Sequence, residues 1–133
     1  TDELWTAIRG QAAKLNGKNI RVSNCGLREA LLSIGFAKDK KTMEYMMPYF
    51  SKLALKIRKP RMMGSATLAL TYVASGRFHG YIESKVCLWD IAAGKLLVEA
   101  AGGRVDLTDS KVTKGKLSIC SWNGKLPLDN TLS

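Results

Sequence analysis

Short strand-like runs alternate with helix-like runs along most of the chain, and this alternation is the feature that most constrains its fold. The strand-like runs are residues 29–36, 78–83, 104–108 and 116–121, and the helix-like runs are residues 40–57, 64–75 and 89–101. Chains that alternate in this way pack their helices as layers against a largely buried sheet. We therefore expect an α/β layer structure.

A β-hairpin is predicted at the start of the chain. Residues 3–9 and 18–23 both have strand character, and Asn16-Gly17 lies between them. Asn-Gly is a strong hairpin signal because the tight turn needs a positive φ at both central positions. These two segments are therefore expected to pair.

Length and composition indicate one globular domain. The 133 residues are 46% apolar and 24% charged, which excludes a disordered chain, a collagen-like repeat and a small disulfide scaffold. No uncharged apolar run approaches the ~20 residues that a membrane helix needs. Three cysteines without C-x-x-C spacing and one histidine argue against a Cys/His zinc site, and reduced thiols predict a cytoplasmic location.

The net charge is +10, and it is distributed unevenly. Residues 1–66 carry 13 basic and 5 acidic side chains, whereas residues 67–133 carry 8 and 6. A basic surface attracts phosphate esters and nucleic acids, but it also serves simply as a solvated face. The basic cluster Lys38, Lys40 and Lys41 has no interleaved aromatic residues, so we prefer the solvated face.

Gly64, Ser65 and Ala66 stand where the helix of residues 64–75 begins. The first backbone N–H groups of a helix have no partner within it, and the helix dipole places partial positive charge there. Such a helix start binds anions or hydroxyl groups. The alternative is that Ser65 only caps the helix after a glycine turn.

Glu83 and Asp90 are two carboxylates seven residues apart, on either side of the step from a strand to the helix of residues 89–101. Asp90 lies at the helix start, where the dipole favours it, and its oxygens suit Mg²⁺. The alternative is a capping Asp and an exposed Glu. One carboxylate is too few for a catalytic Mg²⁺ site, so this pair alone leaves the site incomplete.

Other notable residues are interpreted as structural. His79 has no Ser or Cys placed as a partner, and Asp106 and Asp109 are expected in a polar turn. Gly94 predicts close helix packing, because glycine inside a helix costs about 1 kcal/mol relative to alanine. Pro48 predicts a kink or a late start in the helix of residues 40–57.

Together these segments resemble the C-terminal half of the inositol monophosphatase family. WDIAAGKLLVEAAGG (89–103) is similar to the family's C-terminal signature throughout, and RMMGSATLALTYVASGRFHGYIES (61–84) fits its R-x-x-G-[ST]-A helix and the next strand. TDELWTAIRGQAAKLNGKNIRVS (1–23) resembles the family's hairpin, and SICSWNG (118–124) resembles its final strand. The spacing of Gly64, Glu83 and Asp90 also matches the family.

The resemblance implies a Mg²⁺-dependent phosphoric monoester hydrolase that acts on inositol phosphates or related sugar alcohol phosphates. It implies that Asp90 ligates Mg²⁺ and contacts the substrate and that Glu83 binds a substrate hydroxyl. It also implies that Gly64, Ser65 and Ala66 line the pocket with backbone N–H groups. No catalytic residue is assigned to this half, which contributes only metal-binding and substrate-binding residues. In the family a metal-activated water attacks phosphorus in line, and lithium commonly inhibits.

The fold implied by the resemblance is the layered α/β/α sandwich of the inositol monophosphatase / fructose-bisphosphatase type, C-terminal portion only. Residues 1–133 are then a single domain, and the hairpin of residues 1–23 belongs to the sheet of the missing N-terminal half. The implied partners are a small phosphorylated substrate, a second copy of the enzyme in a homodimer, and the missing N-terminal half. A membrane or a nucleic acid is not expected as a partner.

Two departures from the family pattern affect these expectations. Ala12 stands at a usual Gly position, which bears on the shape of the hairpin rather than on chemistry. Residues 84–88 replace a loop that often contains Gly or Pro and borders the substrate. The substrate therefore stays open among inositol phosphates, sugar phosphates, nucleotide 3′-phosphates and histidinol phosphate.

The largest departure is that the family's other metal ligands, in a Glu-bearing helix and a D-P-[IL]-D-G-T loop, are not in these 133 residues. We therefore expect this half to be inactive alone. Two alternatives remain open, namely a basic non-catalytic binding module and a degenerate regulatory subunit of the same fold.

Overall fold

The computed structural model describes residues 2–128, which form two sheets and three α-helices. A small antiparallel sheet holds β1 (Trp5–Thr6), β2 (Lys14–Leu15) and β3 (Lys18–Asn19). A larger sheet holds β4 (Leu31–Gly35), β5 (Lys59–Arg61), β6 (Gly80–Val86), β7 (Arg104–Asp109) and β8 (Leu117–Trp122). The helices are α1 (Lys40–Ala54), α2 (Ala66–Ala74) and α3 (Leu88–Ala100).

The predicted hairpin turn is confirmed, but its strands are shorter than expected. β2 and β3 pair around Asn16 and Gly17, which have positive φ angles of 48° and 77°. The expected pairing of residues 3–9 with residues 18–23 is wrong, because β1 pairs with β2 and not with β3. Of residues 18–23, only Lys18 and Asn19 form a strand, which is β3. After Asn19 the chain leaves the sheet and turns toward the end of α3. There the Val22 N–H donates a hydrogen bond to the backbone carbonyl of Ala101 at 3.1 Å.

The five strands of the larger sheet lie in the order β5-β4-β6-β8-β7. β4 is parallel to both β5 and β6, whereas β8 is antiparallel to both β6 and β7. Because β4 and β6 are parallel neighbours, their carboxyl ends meet at one edge of the sheet. α2 and α3 begin at this edge.

Apolar cores lie on both faces of the larger sheet. Strand alternation sends Tyr81 to one face of β6 and Ile82 to the other. One core joins the sheet to α2 and α3, with the buried residues Leu70, Val73, Ile91, Val98 and Ile119. The other joins it to α1, with Leu32, Ile34, Met46, Leu53 and Trp122. The expected α/β/α layering is confirmed.

Two strands extend beyond their predicted ends. β6 continues to Val86, so most of residues 84–88 is strand rather than loop, and its pairing with β8 shifts register between Glu83 and Val86. β7 includes Asp106 and Asp109, so the prediction of a polar turn there was wrong. Both are held by regular pairing with β8.

Capping side chains explain where α1 and α2 begin. Asp39 accepts a hydrogen bond from the Thr42 N–H at 2.9 Å, and Ser65 accepts one from the Leu68 N–H at 3.2 Å. Each bond satisfies a backbone donor that the helix itself leaves unpaired. Ser65 is therefore an N-cap, as the simpler interpretation held. α1 continues through Pro48 and ends at Ala54, before the predicted end.

Gly94 has the packing role that its position in a helix predicted. A Cβ at Gly94 would lie 2.6 Å from the Cβ of Leu70 on α2. The backbone of α3 can approach α2 this closely only where that side chain is missing.

His79 is also structural, since its Nδ1 accepts the Leu31 N–H at 2.8 Å. No helix within residues 2–128 combines the length and apolar character needed to cross a membrane.

Candidate functional site

The predicted site residues meet around one cavity of about 420 Å³. It lies where β4 and β6 end and where α2 and α3 begin. Its lining includes all five predicted residues, namely Gly64, Ser65, Ala66, Glu83 and Asp90. Residues separated by up to 26 positions in sequence therefore share one solvent-accessible space.

The start of α2 forms one wall of this cavity. Gly64 has a φ of +70°, a left-handed conformation that glycine adopts without strain. This turn brings the first backbone N–H groups of α2 and the positive end of its dipole to the cavity. The hydroxyl of Thr67 also donates to the backbone carbonyl of Asp90 at 2.9 Å, which ties the first turn of α2 to that of α3.

Asp90 lies in the first turn of α3 and is exposed at the cavity. Among residues 2–128, no donor forms a hydrogen bond or ion pair with its carboxylate. A carboxylate at a helix start is favoured by the dipole and is available to a ligand. Asp90 therefore faces the cavity that Gly64 and Glu83 also line.

Glu83 is half-buried on β6, and its environment differs from that of Asp90. The hydroxyl of Tyr81 donates a hydrogen bond to Oε2 of Glu83. Burial raises the pKa of the Glu83 carboxyl, the Tyr81 hydrogen bond opposes this rise, and the charge of Asp90 adds to it. Burial also raises the pKa of Tyr81, followed by the charge of Glu83, so the phenol remains a neutral donor.

Gly35, at the end of β4, provides the space that Glu83 occupies. The two residues are paired across the parallel strands. A Cβ at Gly35 would overlap the carboxylate of Glu83. The position of this carboxylate therefore depends on a neighbouring residue that has no side chain.

Lys85 adds a positive charge to the cavity lining and pairs with Asp39 at 3.1 Å. The pKa of Asp39 is lowered to about 2, first by the Thr42 N–H, then by the Thr42 hydroxyl and then by Lys85. Asp39 is therefore ionised across the physiological range. The pair connects the start of α1 to the strand that carries Glu83.

Sequence reasoning missed Tyr81, Gly35 and Asp39. The D-x-x-T spacing that ends at Thr42 is a capping signal that identifies Asp39. Gly35 and Tyr81 have no comparable local signal, because their roles depend on pairing between strands that are distant in sequence.

The described side chains do not by themselves form a metal site. No cluster of three or more His, Cys, Asp or Glu side chains placed to hold a metal occurs among residues 2–128. Mg²⁺ is commonly held by one or two carboxylates together with waters and substrate phosphate oxygens. The Asp90 carboxylate has the chemistry of one such ligand, and a Mg²⁺ ion held there would need further ligands.

The fold and the cavity are accompanied by a specific family match. The family model described as "Inositol monophosphatase family" matches residues 1–129. The chain belongs to the inositol monophosphatase family. The expected fold type of this family is thereby confirmed.

Solved structures agree with this membership. The inositol monophosphatase from Anabaena (Nostoc) sp. PCC 7120 superposes with a TM-score of 0.82 at 37% identity, over 93% of this chain and 52% of that one. The extragenic suppressor protein SuhB from Bartonella henselae superposes with a TM-score of 0.81 at 32% identity, over 92% of this chain and 48% of that one.

Several relatives of the chain are named as a factor rather than as an enzyme. "Nus factor SuhB" from Pasteurella multocida is 44% identical over 106 residues, which is 78% of this chain and 40% of the relative. The protein of the same name from Pseudomonas aeruginosa is 40% identical over 128 residues, which is 92% of this chain and 47% of the relative. The chain thus spans less than half the length of these relatives.

Proposed function

We propose that the chain supplies the substrate pocket and one metal ligand of a Mg²⁺-dependent phosphatase acting on phosphate monoesters of inositol or a related sugar alcohol. The single observation that carries this proposal is the meeting of Gly64, Glu83 and Asp90 around one cavity. Family membership supports the same reaction class. Sensitivity to lithium, a homodimer and a cytoplasmic location belong to the proposal as well.

Each wall of the cavity has a distinct role in this proposal. The start of α2 offers N–H donors to substrate oxygens, and Glu83 accepts a hydrogen bond from a ring hydroxyl. Asp90 offers an oxygen ligand to Mg²⁺. When bound, the metal polarises phosphate oxygens and activates water. The chain's own residues therefore bind and orient the substrate.

The test is release of inorganic phosphate from inositol 1-phosphate by the full-length protein. We expect turnover with Mg²⁺ and none after chelation with EDTA. Glu83→Gln should lower kcat/KM by roughly 10- to 100-fold, because a hydrogen bond to a charged group contributes ~1.5–3 kcal/mol. Glu99→Gln, an exposed change on α3, is the matched control. Absence of Mg²⁺-dependent turnover in the wild-type protein would contradict the proposal.

A non-catalytic binding role is the second candidate. Relatives named as a factor rather than an enzyme and the excess of positive charge in residues 1–66 both favour it. Binding of a nucleic acid that weakens steeply with salt, and that is unchanged in Asp90→Asn and Glu83→Gln, would support this role. A degenerate regulatory subunit would instead retain the fold and show neither Mg²⁺-dependent turnover nor salt-dependent binding of a nucleic acid.

A further inference from the structure

The carboxylate of Glu83 is held by two neighbours that neither family motifs nor spacing identified. Tyr81 is two residues away on the same face of β6, and its side chain is almost completely buried, at 1% exposed. A buried phenol needs a hydrogen-bond partner, and this one has Oε2 of Glu83. Tyr81 thus engages one of the two carboxylate oxygens.

The second carboxylate oxygen, Oε1, is left for the cavity. Among residues 2–128, no side chain or backbone donor forms a hydrogen bond with Oε1. Because Glu83 lines the cavity, Oε1 can accept a hydrogen bond from an incoming hydroxyl, and a hydrogen bond to a charged oxygen is stronger than one between neutral groups.

Gly35 limits where the carboxylate can lie. A Cβ at this position would overlap the carboxylate, which is the far end of a flexible side chain. Glu83 can move away from such a Cβ more easily than the strands can separate. An added methyl group at Gly35 is therefore expected to displace the carboxylate while leaving the sheet paired.

We propose that Tyr81 and Gly35 are positioning residues for Glu83. Tyr81 holds Oε2 and Gly35 leaves the space beside it, so that Oε1 alone accepts a hydrogen bond from a substrate hydroxyl. The inference rests on the proposed function for the nature of that substrate. It assigns selectivity for polyol phosphates to these two residues in addition to Glu83.

The kinetic test compares two phosphomonoesters in the full-length protein with Mg²⁺. Inositol 1-phosphate carries neighbouring hydroxyls, and 4-nitrophenyl phosphate carries none. Tyr81→Phe and Gly35→Ala should each lower the ratio of kcat/KM for the first substrate to that for the second by about tenfold. Tyr72→Phe and Gly26→Ala are the matched controls, since Tyr72 packs on Phe78 away from the cavity and a Cβ at Gly26 would meet nothing within 4 Å. An unchanged ratio in both site variants would overturn the inference.

A spectroscopic test separates this inference from the proposed function. The ¹³C carboxyl resonance of Glu83 is assigned by its loss in Glu83→Gln, and it should move in Tyr81→Phe and Gly35→Ala but not in the two controls. Near-ultraviolet circular dichroism checks folding, and Tyr81→Phe remains the conservative variant if Gly35→Ala does not fold. A moved resonance in a protein without turnover would contradict the proposed function and support the positioning role. An unmoved resonance would overturn the positioning role whatever the activity.

Discussion

At the scale of single residues, the sequence predicted which side chains meet but not how they are held. Gly64, Glu83 and Asp90 were identified because motif and spacing are properties of the chain itself. Tyr81 and Gly35 were missed because their roles depend on the folded sheet. The hydrogen bond from Tyr81 to Glu83 and the space that Gly35 leaves for Glu83 exist only once the strands have paired.

Asp39 provides a prediction at the same scale. Its pKa falls from the ordinary value of 3.8 to about 2 in the folded chain, through the Thr42 N–H, the Thr42 hydroxyl and Lys85. Because the folded pKa is the lower one, the ionised carboxylate stabilises the fold fully above pH ~4 and loses this effect as the pH falls toward ~2.

Asp39→Ala should therefore lower the free energy of unfolding at pH 7, and the difference from wild type should shrink between pH ~4 and ~2. Urea unfolding of both proteins across this pH range measures the difference in the free energy of unfolding. Asp109→Ala, which removes an exposed carboxylate at the end of β7, is the control variant. If Asp39→Ala were less stable than wild type by the same free energy at every pH, the lowered pKa of Asp39 would be contradicted.

At the scale of elements, the alternating patterns predicted well which strands and helices follow one another along the chain. Boundaries were less accurate: β6 and β7 extend into segments taken as loop or turn, because pairing with β8 overrides local polarity. β5 is not among the predicted strands, because its three residues form a strand only through pairing with β4.

Packing between α2 and α3 provides a second stability prediction. Gly94→Ala should destabilise the fold by about 1–3 kcal/mol, because the new methyl group would meet Leu70 in a close-packed core. Urea unfolding measures the change, and Gly26→Ala is the control. In a Leu70→Ala background, which removes the obstructing side chain, the same substitution should cost less. Equal costs in both backgrounds would show that Leu70 is not the obstacle.

At the scale of the whole molecule, the 133 residues form a layered fold whose cavity brings together the predicted binding residues. The layering followed from alternation, and the strand order β5-β4-β6-β8-β7 did not, because neighbours in a sheet are chosen by long-range packing. The described residues contribute too few clustered ligands for a complete metal site. We therefore expect full activity only where further ligands are present.

The central claim is that Asp90 provides a metal ligand at a phosphomonoester site. The most direct measurement is the Mg²⁺ dependence of phosphate release from inositol 1-phosphate by the full-length protein, for wild type, Asp90→Asn and the control Asp109→Asn. We predict that Asp90→Asn lowers kcat/KM by at least ~100-fold, about 2.7 kcal/mol in the transition state, while Asp109→Asn behaves as wild type. Wild-type turnover and Mg²⁺ dependence in Asp90→Asn would contradict the account.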